Sequence, residues 1–305
     1  MVADILVISG ICLGIYSFYR YETKSIEISE YNIESNKIPS KFNNFNIIQI
    51  SDLHNAEFGK NNYRLIKSID SLKPDIVVIT GDLIDGERED YNIAIDLLNN
   101  LSKKYKVYYI KGNHEEKALI KKYKLKYEDY FKELKKIDII DLNDKIIKIE
   151  KENSYINLYG LDIPLNYYKY LFNNEDQLVL DEKFIQDKLG NLNKDEYNIL
   201  LAHTPFYFEQ YSNWGADLVL SGHVHGGIIR IPLLGGLLSP NRRFFPKFDL
   251  GKYENNNSIM IVNKGLGKSK VFFRVNCRPE VVRIKLKCKL WSMVLLYDIN
   301  YFDII

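Results

Sequence analysis

Asp75-Ile-Val-Val-Ile-Thr-Gly-Asp82-Leu-Ile-Asp85 joins a β-branched apolar run to a glycine and two carboxylates. Such a run predicts a strand buried on both faces of a sheet. Gly81 lets the backbone turn sharply where the run stops. Asp82 is thereby delivered to the rim, where α/β sheets place their ligands. The same pattern recurs outward in both directions. Asn46-Ile-Ile-Gln-Ile-Ser51 leads into Asp52-Leu-His54, and Val107-Tyr-Tyr-Ile110 into Gly112-Asn113-His114-Glu115. Tyr197-Asn-Ile-Leu-Leu-Ala202 leads into His203, and Ala216-Asp-Leu-Val-Leu-Ser221 into Gly222-His223-Val-His225. Helical periodicity at 63–72 and 91–102 fills the gaps between the first three runs. A lysine-rich helix is expected over 117–136, and further strands at 137–142, 145–149, 155–160, 258–263 and 280–286. Strands alternating with helices predict an α/β fold.

The chain has 305 residues, 46% hydrophobic and 27% charged, with a formal net charge of +2. That size allows one large domain or two small ones. The near-neutral charge offers no phosphate-tracking surface for nucleic acid. Three cysteines, Cys12, Cys277 and Cys288, make neither a disulfide framework nor a thiolate zinc site.

The five histidines, His54, His114, His203, His223 and His225, all fall in the short motifs that end strands. Any one of them alone reads as a hydrogen-bonded core residue. Five such placements together point to one site. Imidazole and carboxylate in mixed sets suit borderline divalent ions. Asp-x-His and His-x-His put two side chains on one face of a strand or its extension, because alternate residues share a face. Asp82 has two oxygens, one for each of two ions, and Asn113 offers a neutral amide oxygen. Two ions about 3.5–4 Å apart can clamp the entering and leaving oxygens of a phosphoryl transfer.

Asp52-x-His54, Gly81-Asp82-x-x-Asp85, Gly112-Asn113-His114-Glu115, His203 and Gly222-His223-x-His225 together resemble the five-motif signature of the calcineurin-like metallophosphoesterases. Order and spacing match across about residues 45–285. Gly226-Gly227-Ile-Ile-Arg230-Ile-Pro232 further resembles a bacterial, membrane-associated branch, the YkuE-like group. The resemblance implies a two-sheet β-sandwich flanked by helices, with metals at the C-terminal ends of strands. It implies one ion on Asp52, His54, Asp82 and His225, and another on Asp82, Asn113, His203 and His223, drawn from Mn, Fe, Zn or Ni. A hydroxide shared by the ions would attack phosphorus, His114 would protonate the leaving oxygen, and Asp85 would orient His114. Glu115 stands where many relatives have Asp and is expected to support its loop. A nuclease or nucleotide phosphodiesterase, a protein phosphatase and an inactive scaffold are the alternatives; the scaffold predicts missing ligands, and none is missing.

Four segments are expected: 1–20, 21–44, 45–286 and 287–305. The first is a membrane anchor or a signal-like segment, since Ile5 to Tyr19 is mostly apolar but shorter than a comfortable span. The second is a linker or an opening hairpin, the third the catalytic domain, the fourth an apolar tail. A monomer associated with the membrane is expected, acting on a phospholipid-like or other membrane-proximal phosphoester. Leu233-Leu-Gly-Gly-Leu-Leu238 reads first as a buried hairpin, second as a wall for an acyl chain. Lys121-Lys-Tyr-Lys-Leu-Lys126 reads as a solvated helix face, with anionic headgroups as the alternative. Arg230, Arg242, Arg243 and Arg274 are the candidates for gripping phosphate.

Overall fold

The computed structural model describes residues 2–87, 90–120, 124–168, 180–237, 244–268 and 273–289. The tail from 290 onward, Lys121 to Tyr123, Leu238, Arg242 and Arg243 lie outside the described residues. Helix α1 (Val2–Lys24) is followed by β1 (Glu27–Ser35), β2 (Asn46–Ile50), α2 (Tyr63–Ser71), β3 (Ile76–Thr80), α3 (Asn92–Ser102) and β4 (Lys106–Ile110). Next come α4 (Asn113–Ile120), α5 (Lys124–Leu134), β5 (Ile140–Asp141), β6 (Lys145–Lys151), β7 (Ser154–Leu161), α6 (Glu182–Leu189) and β8 (Asn198–Ala202). The chain continues through α7 (Phe208–Trp214), β9 (Leu218–Ser221), β10 (Arg230–Ile231), β11 (Gly235–Gly236), β12 (Gly251–Asn255), β13 (Ser258–Val262) and β14 (Glu280–Cys288).

Two six-stranded sheets stack face to face, in orders β1-β14-β2-β3-β4-β5 and β12-β13-β9-β8-β7-β6. β2 to β5 run parallel in the first, and β13, β9, β8 and β7 run parallel in the second. Pleating divides each apolar run between two layers. Ile76 and Val78 of β3 face the other sheet and pack among Ile199, Leu201, Leu218, Leu220 and Ile261. Val77 and Ile79 face outward against α2 and α3, through Leu65, Ile69, Leu97 and Leu98. Leu200, Val219 and Met260 make the matching outer layer with Ile185, Tyr211 and Trp214 of α6 and α7. The protein is thus an α/β fold built as a β-sandwich covered by helices on both sides, as the family resemblance implied.

The structure refines several expectations. The lysine-rich stretch is two helices, α4 and α5, and α4 begins at Asn113 inside a predicted site motif. The alternating residues from Ser25 onward enter β1, which pairs in parallel with β14 at the far end of the chain and not with a sequence neighbour. Leu233 and Leu234 do cap a hairpin, β10 with β11, but both side chains are exposed, so it is not a buried one. α1 has 23 residues, about 34 Å at the helical rise, enough to cross a membrane. Its side chains from Ala3 to Tyr21 are exposed, and only Glu22 and Thr23 are buried against the domain.

Leu220 lies on β9 in the middle of the second sheet and is fully buried between the layers. Leu220→Ala should cost about 2–5 kcal/mol in chemical denaturation. Ile146→Ala, half exposed on edge strand β6, should stay within about 0.5 kcal/mol of the parent.

Candidate metal centre

β2, β3, β8 and β9 end at one rim, and each hands its motif to a turn there. The turns extend the sheet's hydrogen bonding past the strands. Asp52 N–H donates to Gly81 O at 3.0 Å, His54 N–H to Asp82 O at 3.0 Å, and Gly222 N–H to His203 O at 3.0 Å. The predicted sharing of a strand face does not explain the close ligands. Asp52, His54, Asp82, His223 and His225 all lie beyond their strands, with φ of 51°, 44°, 54°, 72° and 52°. Side chains two apart converge because the backbone enters the left-handed region, a strained conformation that clusters at functional sites. Gly81 has φ 92°, and a Cβ there would lie 2.6 Å from Gly112 N. The approach of the two loops therefore excludes any side chain at 81.

The ligand atoms of Asp52, His54 and His225 lie within 4.8 Å of one another, as do those of Asp82, His203 and His223. Asp82 links the two sets: Oδ2 is 3.6 Å from His54 Nε2 and 3.2 Å from His203 Nε2. Oδ1 accepts from His114 N–H at 2.8 Å. One oxygen of Asp82 thus faces both sets, in place of the expected one oxygen for each. Asn113 is buried at the start of α4, and its Oδ1 has no hydrogen-bond partner. Nε2 of His203 faces Asp82 Oδ2 at 3.2 Å. Its Nδ1 lies 2.6 Å from Thr80 O and must donate to it, so it is in the neutral ring that Nε2 turns a lone pair toward the site. Orphaned buried acceptors beside carboxylates suit a divalent cation. His114 lies within 4.8 Å of His54 and Asp82 as well, but is partly exposed, with its Nδ1 3.6 Å from Asp85 Oδ1.

The protein's own charges leave this centre short of positive charge. Burial pushes the Asp52 carboxyl up to about 6 and the His54 imidazole down to about 3. Burial also opposes the His203 imidazolium, yet Asp82 wins and carries it up to about 9. His203 and Asp82 make an ion pair where a cation would serve every donor.

Glu115 is fully buried. Its carboxylate accepts from Gly112 N–H at 2.9 Å, Asp82 N–H at 2.9 Å and Leu83 N–H at 2.7 Å. It therefore holds the Asp82 turn against the Asn113 turn, the support expected of it. Other contributors carried no motif. Gln49 of β2 donates across the sandwich to Ser221 O, and Asn263 donates to Gln49 O. Asn263 could have been found, because Ile259-Met-Ile-Val262 is one more apolar run closed by a polar residue and a glycine. Tyr168 and Phe206 wall His223, with ring centroids at 5.1 and 5.9 Å, and nothing local marks them. Two phosphate-gripping candidates are placed otherwise. Arg274 is buried and donates to the carbonyls of Gly267, Lys264 and Cys277, while Arg230 pairs with Asp249 at 2.7 Å.

Residues 45–227 match the family model of the calcineurin-like phosphoesterases. The chain belongs to that family. All nine predicted site residues, Asp52 to His225, fall inside the matched span. A calcineurin-like phosphoesterase is a hydrolase of phosphoester bonds, and the buried Asp and His sets support metal dependence. Among relatives, the Bacillus subtilis metallophosphoesterase YkuE is 28% identical over 279 residues, 90% of each chain. A metallophosphoesterase of Aquifex aeolicus is 27% identical over 92% of this chain and 98% of its own. A Danio rerio protein, "Transmembrane protein with metallophosphoesterase domain", is 27% identical over 86% of this chain and 57% of its own length.

Glu115→Gln replaces a charged acceptor of these backbone N–H groups with a neutral one. Metal affinity should fall about 10–100-fold in a calorimetric titration, as for other residues that orient ligands. Unchanged affinity would show that the turn keeps its form without the charge.

Proposed function

We propose that the chain hydrolyses a phosphoester at a centre of two divalent cations. One would be held by Asp52, His54, Asp82 and His225, the other by Asp82, Asn113, His203 and His223. The observation that carries this reading is Asp82 Oδ2, poised 3.6 Å from one histidine set and 3.2 Å from the other. Bound divalent cations would acidify a water molecule and neutralise charge on the phosphoryl oxygens. The chain's part is to orient and to move a proton. His54, His203, His223 and His225 fix the donor directions. His114 Nε2 gives its proton to the departing oxygen as the phosphorus–oxygen bond breaks. Asp85 faces the other ring nitrogen, with Oδ1 3.6 Å from Nδ1. Burial would raise the Asp85 carboxyl, but the facing His114 and His54 bring it down to about 2, so it stays ionised at neutral pH.

The membrane-proximal substrate belongs to the same reading. α1 is apolar and exposed, and the zebrafish relative bears a transmembrane name. Both support an anchor that keeps the domain at a bilayer.

His114→Ala should lower turnover of bis-p-nitrophenyl phosphate by about 10²–10⁴-fold while metal content, measured by plasma mass spectrometry, stays near two per chain. Loss of metal in step with activity would make His114 a ligand and not the acid. Asp82→Asn should lose both cations and activity together; an active, metal-replete Asp82→Asn protein would overturn the bridging role.

A further inference from the structure

Outside α1, half of the large apolar side chains exposed among the described residues sit on three loops: Leu233, Leu234, Phe244, Phe245 and Phe273. These loops are far apart in sequence but laid side by side. Arg230 N–H donates to Val275 O at 3.0 Å and Val275 N–H to Ile228 O at 3.2 Å. Leu237 N–H donates to Ile229 O at 2.7 Å, and Phe245 N–H to Leu237 O at 3.1 Å. One backbone network therefore carries all five apolar tips except Phe273, which precedes the paired residue Val275 by two positions.

The base of α1 is seated on this same network. Cys277 N–H donates to the Glu22 carboxylate at 3.1 Å. Lys268 Nζ donates to the Tyr19 hydroxyl and lies 4.7 Å from the ring centroid. Arg278 lies 5.0 Å from the Tyr21 ring, and Lys24 Nζ donates to Glu57 O at 2.6 Å. The helix is thus fixed to the domain through side-chain contacts and does not hang from a free linker. Its foot is ringed by tyrosines and cations, the side chains that favour the boundary between lipid and water. The network also touches the candidate centre. Gly267 N–H donates to Asp52 O at 2.6 Å, and the Cys277 thiol donates to His225 O at 3.3 Å.

We propose that Leu233, Leu234, Phe244, Phe245 and Phe273 form a second membrane contact, dipping into the lipid interface beside α1 and fixing the metal-centre rim against the bilayer. The occupant is a lipid surface because the segment bonded to the apolar hairpin also holds the foot of α1, a helix that has the composition of a span and is ringed there by interfacial residues. This inference rests on the anchor reading of α1. It adds that the domain has a set orientation, so that a phosphoester carried in the bilayer is presented to the centre without the domain having to turn.

The test uses the full chain reconstituted in phosphatidylcholine–phosphatidylglycerol vesicles, with a polarity-sensitive fluorophore on single cysteines. Three sites are compared: native Cys12 on α1, Leu234→Cys on the hairpin, and Asn256→Cys in the turn at the other end of β12 and β13. Cys288→Ser is present throughout and Cys12→Ser in the last two; Cys277 is buried. Nitroxide lipids should quench position 234 from a shallow depth, roughly 5–10 Å below the headgroups. They should quench Cys12 from deeper and leave 256 unaffected. Quenching at Cys12 with 234 behaving like 256 would remove the second contact and keep the anchor. Absence of quenching at Cys12 would remove both. Hydrolysis of bis-p-nitrophenyl phosphate by each labelled protein should match the parent, showing that the fold is intact. Loss of hydrolysis in the parent, with the quenching pattern preserved, would count against the phosphoesterase mechanism and not against the membrane contact.

Discussion

A buried carboxylate with too few neighbours is expensive, and Asp82 is surrounded by groups that depend on how it is held. One of its oxygens is committed to the His114 backbone, and the other faces histidines from β2 and β8. Moving Asp82 by an ångström would unseat the first helix turn of α4 and both donor sets at once. Its fixity comes from a second buried carboxylate, Glu115, which gathers N–H groups from the two adjoining turns. Two acids share one small volume, and Asp82 raises the Glu115 carboxyl in addition to the effect of burial, bringing it to about 7. Such an arrangement is stable only where backbone dipoles and a nearby positive charge compensate it. Metal dependence and local architecture therefore have one electrostatic origin.

The left-handed residues follow from the same demand. The candidate donors must meet in one place, but strands about 4.8 Å apart deliver their ends in a row. The chain solves this by bending Asp52, His54, Asp82, His223 and His225 out of the strand direction, at roughly 1–3 kcal/mol per strained residue. Hydrogen bonds that run on past the strand ends, and glycines that let the loops touch, offset the strain. The sandwich beneath is insulated from it, because the apolar layers lie behind the rim.

Much of this was legible in the residues. Apolar runs closed by polar motifs gave the strands, since burial on both faces selects β-branched residues. The convergence of the histidines on one rim was legible because few other roles require histidine after so many strands. What the sequence concealed was set by distance and by burial. No local signal tells β1 that its partner is β14, and the short helices α6 and α7 carry too few residues for a clear period. Arg274 looked like a phosphate-binding group, yet the fold buries it and spends its donors on carbonyls. The spacing of Asp52 and His54 was read with the geometry of a strand, when the real cause was a positive φ. Leu233 and Leu234 read as core until the hairpin was seen to project.

The placement of β14 sets a schedule for synthesis. It lies between β1 and β2, pairing Glu27 with Glu280 and Gln49 with Val282. The first sheet therefore stays split until residue 288 has left the ribosome, long after Asp52 and His54 have emerged. Loop closure over so much of the chain is slow, so the early histidines wait on an incomplete scaffold.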